Sequence, residues 1–111
     1  MMEVTFARSK EQKLCNSASK LKGEYGPRMA ELIQERLASL AAADNLEVMR
    51  TLPGRCHELT ADLKGYVAID LVHPLRLVFR PLDDPPVKPD GSGFDWRCVT
   101  SVEIWRIGDY H

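Results

Sequence analysis

The sequence predicts an α+β domain in which two helices in the N-terminal half pack on one face of a small, twisted, mostly antiparallel sheet, in the order β-α-α-β-β-β-β. Three observations support this prediction. The chain has 111 residues, enough for one hydrophobic core but not for two, so we expect residues 1–111 to form a single domain. The apolar residues between positions 27 and 41 recur at helical spacing. After Gly54, three short strand-like runs are separated by tight turns, which is typical of an antiparallel meander.

The chain begins with a predicted strand and a first helix. The segment Glu3–Arg8 alternates apolar and polar residues, as expected for a short strand. Ser9 and Gln12 have the spacing of a capping box, which predicts that a helix begins at Ser9. Gly23 or Gly26 can end this helix.

The second helix is predicted from Pro27 to Ala43. Proline is favoured at the first position of a helix, where its missing N–H costs no hydrogen bond. The apolar residues that follow share one helical face. They are Met29, Leu32, Ile33, Leu37, Leu40 and Ala41. A further helical turn is expected from Asp44, and the segment Thr51–Gly54 ends it.

Four strands are predicted in the C-terminal half. Their sequences are RCHELT, YVAIDLV, LRLVFR and the final run from Val99 to Ile107. In the final run, both sets of alternating side chains include apolar residues, which is expected of a strand covered on both faces. The segment Pro81–Trp96 contains four prolines, two glycines and four aspartates, so we expect a surface loop before the last strand.

The bulk properties exclude several classes of protein. No apolar run approaches the roughly 18 residues that a membrane span needs, and the first residues lack the apolar core of a signal peptide. We therefore expect a cytoplasmic protein. Cys15, Cys56 and Cys98 are an odd number of cysteines at irregular spacing, which argues against a disulfide framework and against a zinc site, so no metal is expected.

The charge distribution limits how the protein can bind nucleic acid. With 15 basic and 16 acidic residues, the net charge is −1, which excludes a protein that attracts nucleic acid by its overall charge. Residues 1–80 hold 12 Lys and Arg against 10 Asp and Glu, whereas residues 81–111 hold 3 against 6. Any anion site must therefore be a local cluster of basic side chains.

Four side chains could carry chemistry on such a sheet. His57 lies on the first strand of the meander, Arg76 lies on the third, and Tyr110 and His111 follow the last. Arg76 has the parity opposite to the apolar residues of its strand, so it faces away from the predicted core. Arginine can hold a phosphate, and histidine or tyrosine can transfer protons, so this set suits a phosphodiester site.

The order of these segments resembles a known family. The stretches LPGRCHELTADLKGYVAIDL, then PLRLVF, and finally DYH are similar to the HigB-type killer toxins of the RelE/ParE superfamily of bacterial type II toxin-antitoxin systems. The resemblance covers nearly the whole chain. It implies a RelE-like fold and an endoribonuclease (mRNA interferase) that cuts messenger RNA, usually on the ribosome. It also implies that no cofactor or metal is needed, since in such sites the ribose 2′-OH attacks the adjacent phosphorus.

The resemblance also implies roles for individual residues. Arg76 would stabilise the negative charge that develops on the phosphate, His57 or His111 would transfer protons, and Tyr110 would stack on a base or orient the 2′-OH. Lys64 and Arg80 are assigned to substrate binding. Where the family commonly has Leu-Lys-Gly-Asp, this chain has Thr60 at the lysine position, and Lys64 is the candidate to supply the missing charge.

Two other activities and one partner stay open at this point. The same fold class includes ParE-like inhibitors of DNA gyrase, and a RelE-like protein without activity could act only as a regulator. The resemblance implies a helix-turn-helix antitoxin (HigA-like) as the partner in each case. The first strand, the long helix and the loop before the last strand are candidate surfaces for it.

Overall fold

The computed structural model describes residues 1–109, and the predicted α+β architecture is confirmed there. The described elements follow one another in this order: β1 (Glu3–Phe6), α1 (Ser9–Cys15), α2 (Ala18–Tyr25), α3 (Pro27–Ala42), β2 (His57–Glu58), β3 (Val67–Asp70), β4 (Arg76–Pro81) and β5 (Ser101–Gly108). Short 3-10 helices lie at Leu46–Thr51, Ala61–Leu63 and Trp96–Cys98. No described helix is long and apolar enough to cross a membrane.

The five strands form one sheet in the order β1-β5-β4-β3-β2. Strands β2 to β5 pair antiparallel as the predicted meander, while β1 pairs parallel to β5, with Glu3 opposite Ser101. β5 therefore lies between the first strand of the chain and β4. Strand β2 has only two residues, fewer than the apolar run around it suggested.

The first predicted helix is in fact two helices, and its predicted cap is wrong. α1 begins after Arg8, which makes no side-chain cap hydrogen bond, so Ser9 does not act as the cap. The break falls before Ser17, whose Oγ accepts a hydrogen bond from the Lys20 amide at 3.3 Å and caps α2. A second capping serine inside the apolar pattern thus divides the helix. The predicted long helix from Pro27 is confirmed as α3.

The main core lies between the helices and one face of the sheet. Ile33 and Leu40 of α3 meet Ile69, Phe79 and Ile104 from three neighbouring strands, and all five side chains are fully buried. The apolar face predicted for the long helix therefore supplies its share of the core. Full burial of each such side chain contributes about 1.5–3 kcal/mol to folding.

The opposite face of the sheet carries a small second cluster. Its buried members are Leu59, Ala68 and Val78, and the side chains packed over them include Tyr66. No α-helix among residues 1–109 contributes to this cluster. We call this side of the sheet, which also carries Arg76, the open face.

A β-bulge in the pairing of β4 with β5 shapes the open face. Val78 pairs with Arg106, but its neighbour Phe79 pairs with Ile104, which leaves Trp105 as the extra residue. Trp105 packs against the small cluster, and Arg106 lies on the same face because it is directly opposite Val78. The bulge thus places two consecutive side chains of β5 on the open face.

The loop between β4 and β5 is anchored at its end. Trp96 is 1% exposed, its Nε1 donates a hydrogen bond to Glu58 Oε2 at 3.0 Å, and the Arg50 guanidinium lies 3.7 Å from its ring centre. Val87 and Phe94 form an isolated antiparallel bridge within the loop. The predicted surface loop is therefore attached through Trp96 to β2, the strand that carries His57.

Candidate active site

A row of paired residues crosses the open face. His57 of β2 pairs with Ala68 of β3, Ala68 pairs with Val78 of β4, and Val78 pairs with Arg106 of β5. Residues directly opposite one another in a sheet project from the same face. His57 and Arg106 therefore flank a small apolar floor formed by Ala68 and Val78, both fully buried.

Arg76 lies one step along β4 from this row, on the same face. Its side chain is 13% exposed, and its Nε lies 3.2 Å from Asp70 Oδ1 on the neighbouring strand. The predicted orientation away from the main core is confirmed, since Leu77 belongs to that core and Arg76 does not. From strand spacings, the Cα atoms of His57 and Arg76 are about 12 Å apart, a distance that a phosphodiester and two long side chains can span.

The surroundings of His57 determine which ring nitrogen is available. Nδ1 lies 2.7 Å from the carbonyl oxygen of Arg55. A carbonyl oxygen can only accept, so Nδ1 carries the hydrogen, and in the neutral imidazole Nε2 keeps its lone pair. This tautomer is the one that suits a general base acting through Nε2.

Asp70 joins Arg76 to a second arginine that the sequence did not single out. Arg55 Nε donates to Asp70 Oδ2 at 2.9 Å, and an Arg55 terminal nitrogen lies 3.5 Å from Oδ1. One carboxylate therefore holds two guanidinium groups. Arg55 and Asp70 are fifteen positions apart, and only the pairing of the strands shows that they meet.

Lys64 and Arg80, the predicted substrate-binding residues, lie toward the other end of the sheet. Lys64 is exposed in the turn that leads into β3. Arg80 Nε contacts Glu103 Oε1 at 3.0 Å across β4 and β5. The structure thus does not bring Lys64 next to Arg76, and it places Arg80 in a cross-strand ion pair.

The bulge residues add an aromatic and a cationic group that sequence reasoning missed. The rings of Tyr66 and Trp105 lie 5.2 Å apart with a tilt of 49°. The Arg106 guanidinium is 4.9 Å from the Trp105 ring centre, and its buried Nε makes no hydrogen bond. An arginine inside an apolar run was the one signal in the sequence that could have drawn attention to this position.

The predicted catalytic residues Tyr110 and His111 lie outside the described residues. The strand that leads toward them ends beside the site, because Gly108 is the partner of Arg76 in the pairing of β5 with β4. Among the described residues, His57 and Arg76 are the predicted catalytic groups that share the open face.

Two further observations concern the chemistry of this region. Burial raises the pKa of the Cys56 thiol to about 12, so the neighbour of His57 stays protonated near neutral pH and is not a thiolate nucleophile. Within residues 1–109, no three His, Cys, Asp or Glu side chains cluster as metal ligands would.

The basic side chains of the open face form a local excess of positive charge. Among the described residues, the face and its rim carry four arginines, Arg55, Arg76, Arg80 and Arg106, against three carboxylates, those of Asp70, Glu103 and Asp109, the residue after the Arg76 partner Gly108. The net charge of the whole chain is nevertheless −1. The charge arrangement is therefore of the kind that binds an anion at one place without a general attraction to polyanions.

Comparison with known proteins identifies the fold. No family model and no curated protein matches the chain. Solved structures do match: a chain of the YoeB-YefM complex from Staphylococcus aureus aligns with a TM-score of 0.58 and 20% identity, over 100% of this chain and 98% of that chain. The fold is that of the YoeB and ParE toxins. The YoeB/ParE toxin from Agrobacterium tumefaciens aligns with a TM-score of 0.58 and 16% identity, over 99% of this chain and 100% of that chain.

A third structure with the YoeB/ParE fold is the YoeB dimer from Staphylococcus aureus. It aligns with a TM-score of 0.56 and 21% identity, over 99% of this chain and 97% of that chain. The RelE-like fold expected from the sequence is thus confirmed. At these identities the likeness concerns the fold, and the HigB type expected from the motifs stays a prediction.

Proposed function

We propose that this protein is the toxin of a toxin-antitoxin pair and that it acts as a metal-independent endoribonuclease. The observation that carries the proposal is the open face, where His57, with its Nδ1 bound to a carbonyl, and Arg76, held by Asp70, flank an apolar floor. A fold shared with YoeB and ParE toxins supports the toxin role.

The proposed reaction uses the RNA itself as nucleophile. His57 Nε2 removes the proton from a ribose 2′-OH, and the 2′ oxygen bonds to the adjacent phosphorus. Arg76 stabilises the added negative charge in the transition state. The bond from phosphorus to the 5′ oxygen breaks, and this oxygen takes a proton from an acid, which we assign to His111 or Tyr110. The products are a 2′,3′-cyclic phosphate and a 5′-OH.

The aromatic residues of the open face suit a single-stranded RNA substrate. Unstacked bases bind to aromatic rings and to guanidinium planes, and the half-buried side chains of Tyr66, Trp105 and Arg106 supply both within one cluster. Arg80 and Lys64 would then contact the backbone of the same strand farther along the sheet.

We further propose that an antitoxin controls this activity by covering the open face. The solved YoeB-YefM structures contain such a pair, and one of them is heterotetrameric. A HigA-like helix-turn-helix protein is the partner implied by the motifs. The basic open face would favour an acidic segment of that partner.

The test is cleavage of RNA by the purified protein, alone and with ribosomes engaged on a message. We expect new ends that carry a 5′-OH and a 2′,3′-cyclic phosphate, and we expect these ends to form far more slowly with His57→Gln or Arg76→Gln. Arg97→Gln is the matched control because Arg97 forms an exposed pair with Asp95 at the far end of β5.

Inhibition of DNA gyrase is the competing activity, since the comparisons include a protein described as a YoeB/ParE toxin. If the wild-type protein leaves RNA intact under both conditions but stabilises cleaved DNA in a gyrase assay, the nuclease proposal is wrong. If both assays are negative with folded protein, a purely regulatory role replaces both.

A further inference from the structure

A polar pocket adjoins Arg76 on the side away from His57. It has a volume of about 150 Å³ and lies at the turn between β3 and β4. Its polar lining comes from Arg55, Asp70, His73 and Arg76, and apolar side chains of the turn complete it. The pocket is therefore small and concave, and three of its four polar lining side chains, Arg55, His73 and Arg76, can bind an anion.

The charges around Asp70 do not cancel. Its carboxylate contacts the Nε atoms of both Arg55 and Arg76, at 2.9 Å and 3.2 Å. A third arginine, Arg36 of α3, reaches the Asp70 carbonyl oxygen with its Nε at 3.4 Å. Asp70 thus lies among three guanidinium groups, and the next described carboxylate is that of Asp109, which follows Gly108, the strand partner of Arg76. Three positive charges against these two carboxylates leave an excess that an additional anion would neutralise.

The backbone at Arg55 is held in an unusual conformation. Its φ is +47°, a left-handed conformation that is unfavourable for a residue with a side chain. The preceding Gly54 is fixed at φ +111°, and its carbonyl accepts a hydrogen bond from the Asp70 amide at 2.7 Å. Strain of this kind persists where the surroundings enforce it, and Arg55 is one of the residues that line the pocket.

Arg55 also connects the pocket to the catalytic histidine. Its carbonyl oxygen accepts the hydrogen bond from His57 Nδ1, while its guanidinium shares Asp70 with Arg76. The side chain of Arg55 is 63% exposed, so it can contact a ligand without rearrangement of the core. Arginine is suited to this role because its planar guanidinium binds two phosphate oxygens at once.

We propose that this pocket is a second phosphate subsite, in which Arg55 binds the RNA phosphate next to the one that is cleaved. Arg76 lies between the two phosphates, and Asp70 is a positioning residue that fixes the two guanidinium groups. The inference rests on the proposed function, because it assigns a substrate contact to the same open face.

The experiment measures binding without cleavage. A fluorescein-labelled, single-stranded oligonucleotide with 2′-O-methyl riboses at every position lacks the nucleophile, and its affinity is measured by fluorescence anisotropy from about 50 to about 200 mM salt. Each phosphate contact that is lost lowers the slope of log affinity against log salt by about 0.7 for a single strand. We expect this loss in Arg55→Gln, together with weaker binding.

Two other variants make the test specific. Arg97→Gln removes the same charge from an exposed arginine-aspartate pair at the far end of β5, so its slope should equal that of the wild type. Arg55→Lys keeps the charge on the same backbone and should keep the wild-type slope while losing affinity. Circular dichroism shows that each variant is folded.

The subsite is refuted if Arg55→Gln has the wild-type slope, if Arg97→Gln loses as much, if Arg55→Lys behaves like Arg55→Gln, or if the wild type does not bind the oligonucleotide. These outcomes are separate from the proposed function. A protein that cleaves RNA while its slope is independent of Arg55 keeps the function and loses the subsite. A protein that cleaves no RNA but shows the Arg55-dependent slope loses the nuclease function and keeps only the contact between Arg55 and an RNA phosphate.

Discussion

Replacement of Gly93 by alanine should destabilise the attachment of the long loop to the strand that carries His57. A Cβ at this position would lie within 3.0 Å of the Glu58 carboxylate, which holds the Trp96 Nε1 hydrogen bond at 3.0 Å. The φ of Gly93 is +122°, a conformation that L-residues rarely adopt. The alanine variant must therefore adopt a strained backbone and also move Glu58 away from Trp96.

The structure sets the size of the effect. A non-glycine residue in such a conformation costs about 1–3 kcal/mol. Loss of the hydrogen bond from Trp96 Nε1 to the charged Glu58 costs about 1.5–3 kcal/mol more, because Trp96 is 1% exposed. We expect Gly93→Ala to reduce the free energy of unfolding by roughly 3–5 kcal/mol.

Gly91→Ala is the matched control in the same loop. Gly91 also has a positive φ, +73°, but a Cβ there would meet no atom within 4 Å, so the variant should lose only about 1–2 kcal/mol. Urea unfolding monitored by tryptophan fluorescence gives both values. If the two variants are equally stable within about 0.5 kcal/mol, Glu58 and Trp96 do not anchor the loop as described.

Four more predictions concern the open face and the thiols. His57→Gln should lower the rate of RNA cleavage by about 10²–10⁴-fold at saturating RNA, as measured in single-turnover assays, because a general base is lost. Trp105→Leu keeps an apolar cover on the small cluster but should weaken binding of uncleavable RNA about tenfold, because base stacking is lost; unchanged affinity in anisotropy would exclude stacking on this ring. Iodoacetamide at neutral pH should modify exposed Cys98 and spare Cys56 in the folded protein, as peptide mass spectrometry can show. The pKa of the Cys56 thiol rises from 9.0 to about 12 on folding because the thiol is buried. The protonated thiol therefore contributes fully to the free energy of unfolding below pH 9, and this contribution is lost between pH 9 and 12. Cys56→Ala should reduce this loss of stability at alkaline pH.

Elements that depend on local sequence could be predicted. The long helix from Pro27 has a regular apolar face, and the turns of the meander contain residues that favour turns. The break at Ser17 was missed because the apolar spacing continues through it, and only the serine cap shows that the chain leaves the helix.

The candidate site could be predicted only where strand alternation holds. Alternation along β4 placed Arg76 on the face opposite the main core, as found. It failed at Trp105 and Arg106, because a bulge depends on how two strands pair and not on either strand alone. The convergence of Arg55 on Asp70 was missed for the same reason, since the two residues meet only through tertiary structure.

The parallel pairing of β1 with β5 has a consequence for the synthesis of this protein. Glu3 cannot pair with Ser101 until residue 101 has been made, and closing a loop of that length costs about 4 kcal/mol in entropy beyond the constant for short loops. A nascent chain that stops before β5 has neither the partner of β1 nor the side chains of Trp105 and Arg106. Among residues 1–109, the open face is therefore the part whose elements are completed last during synthesis.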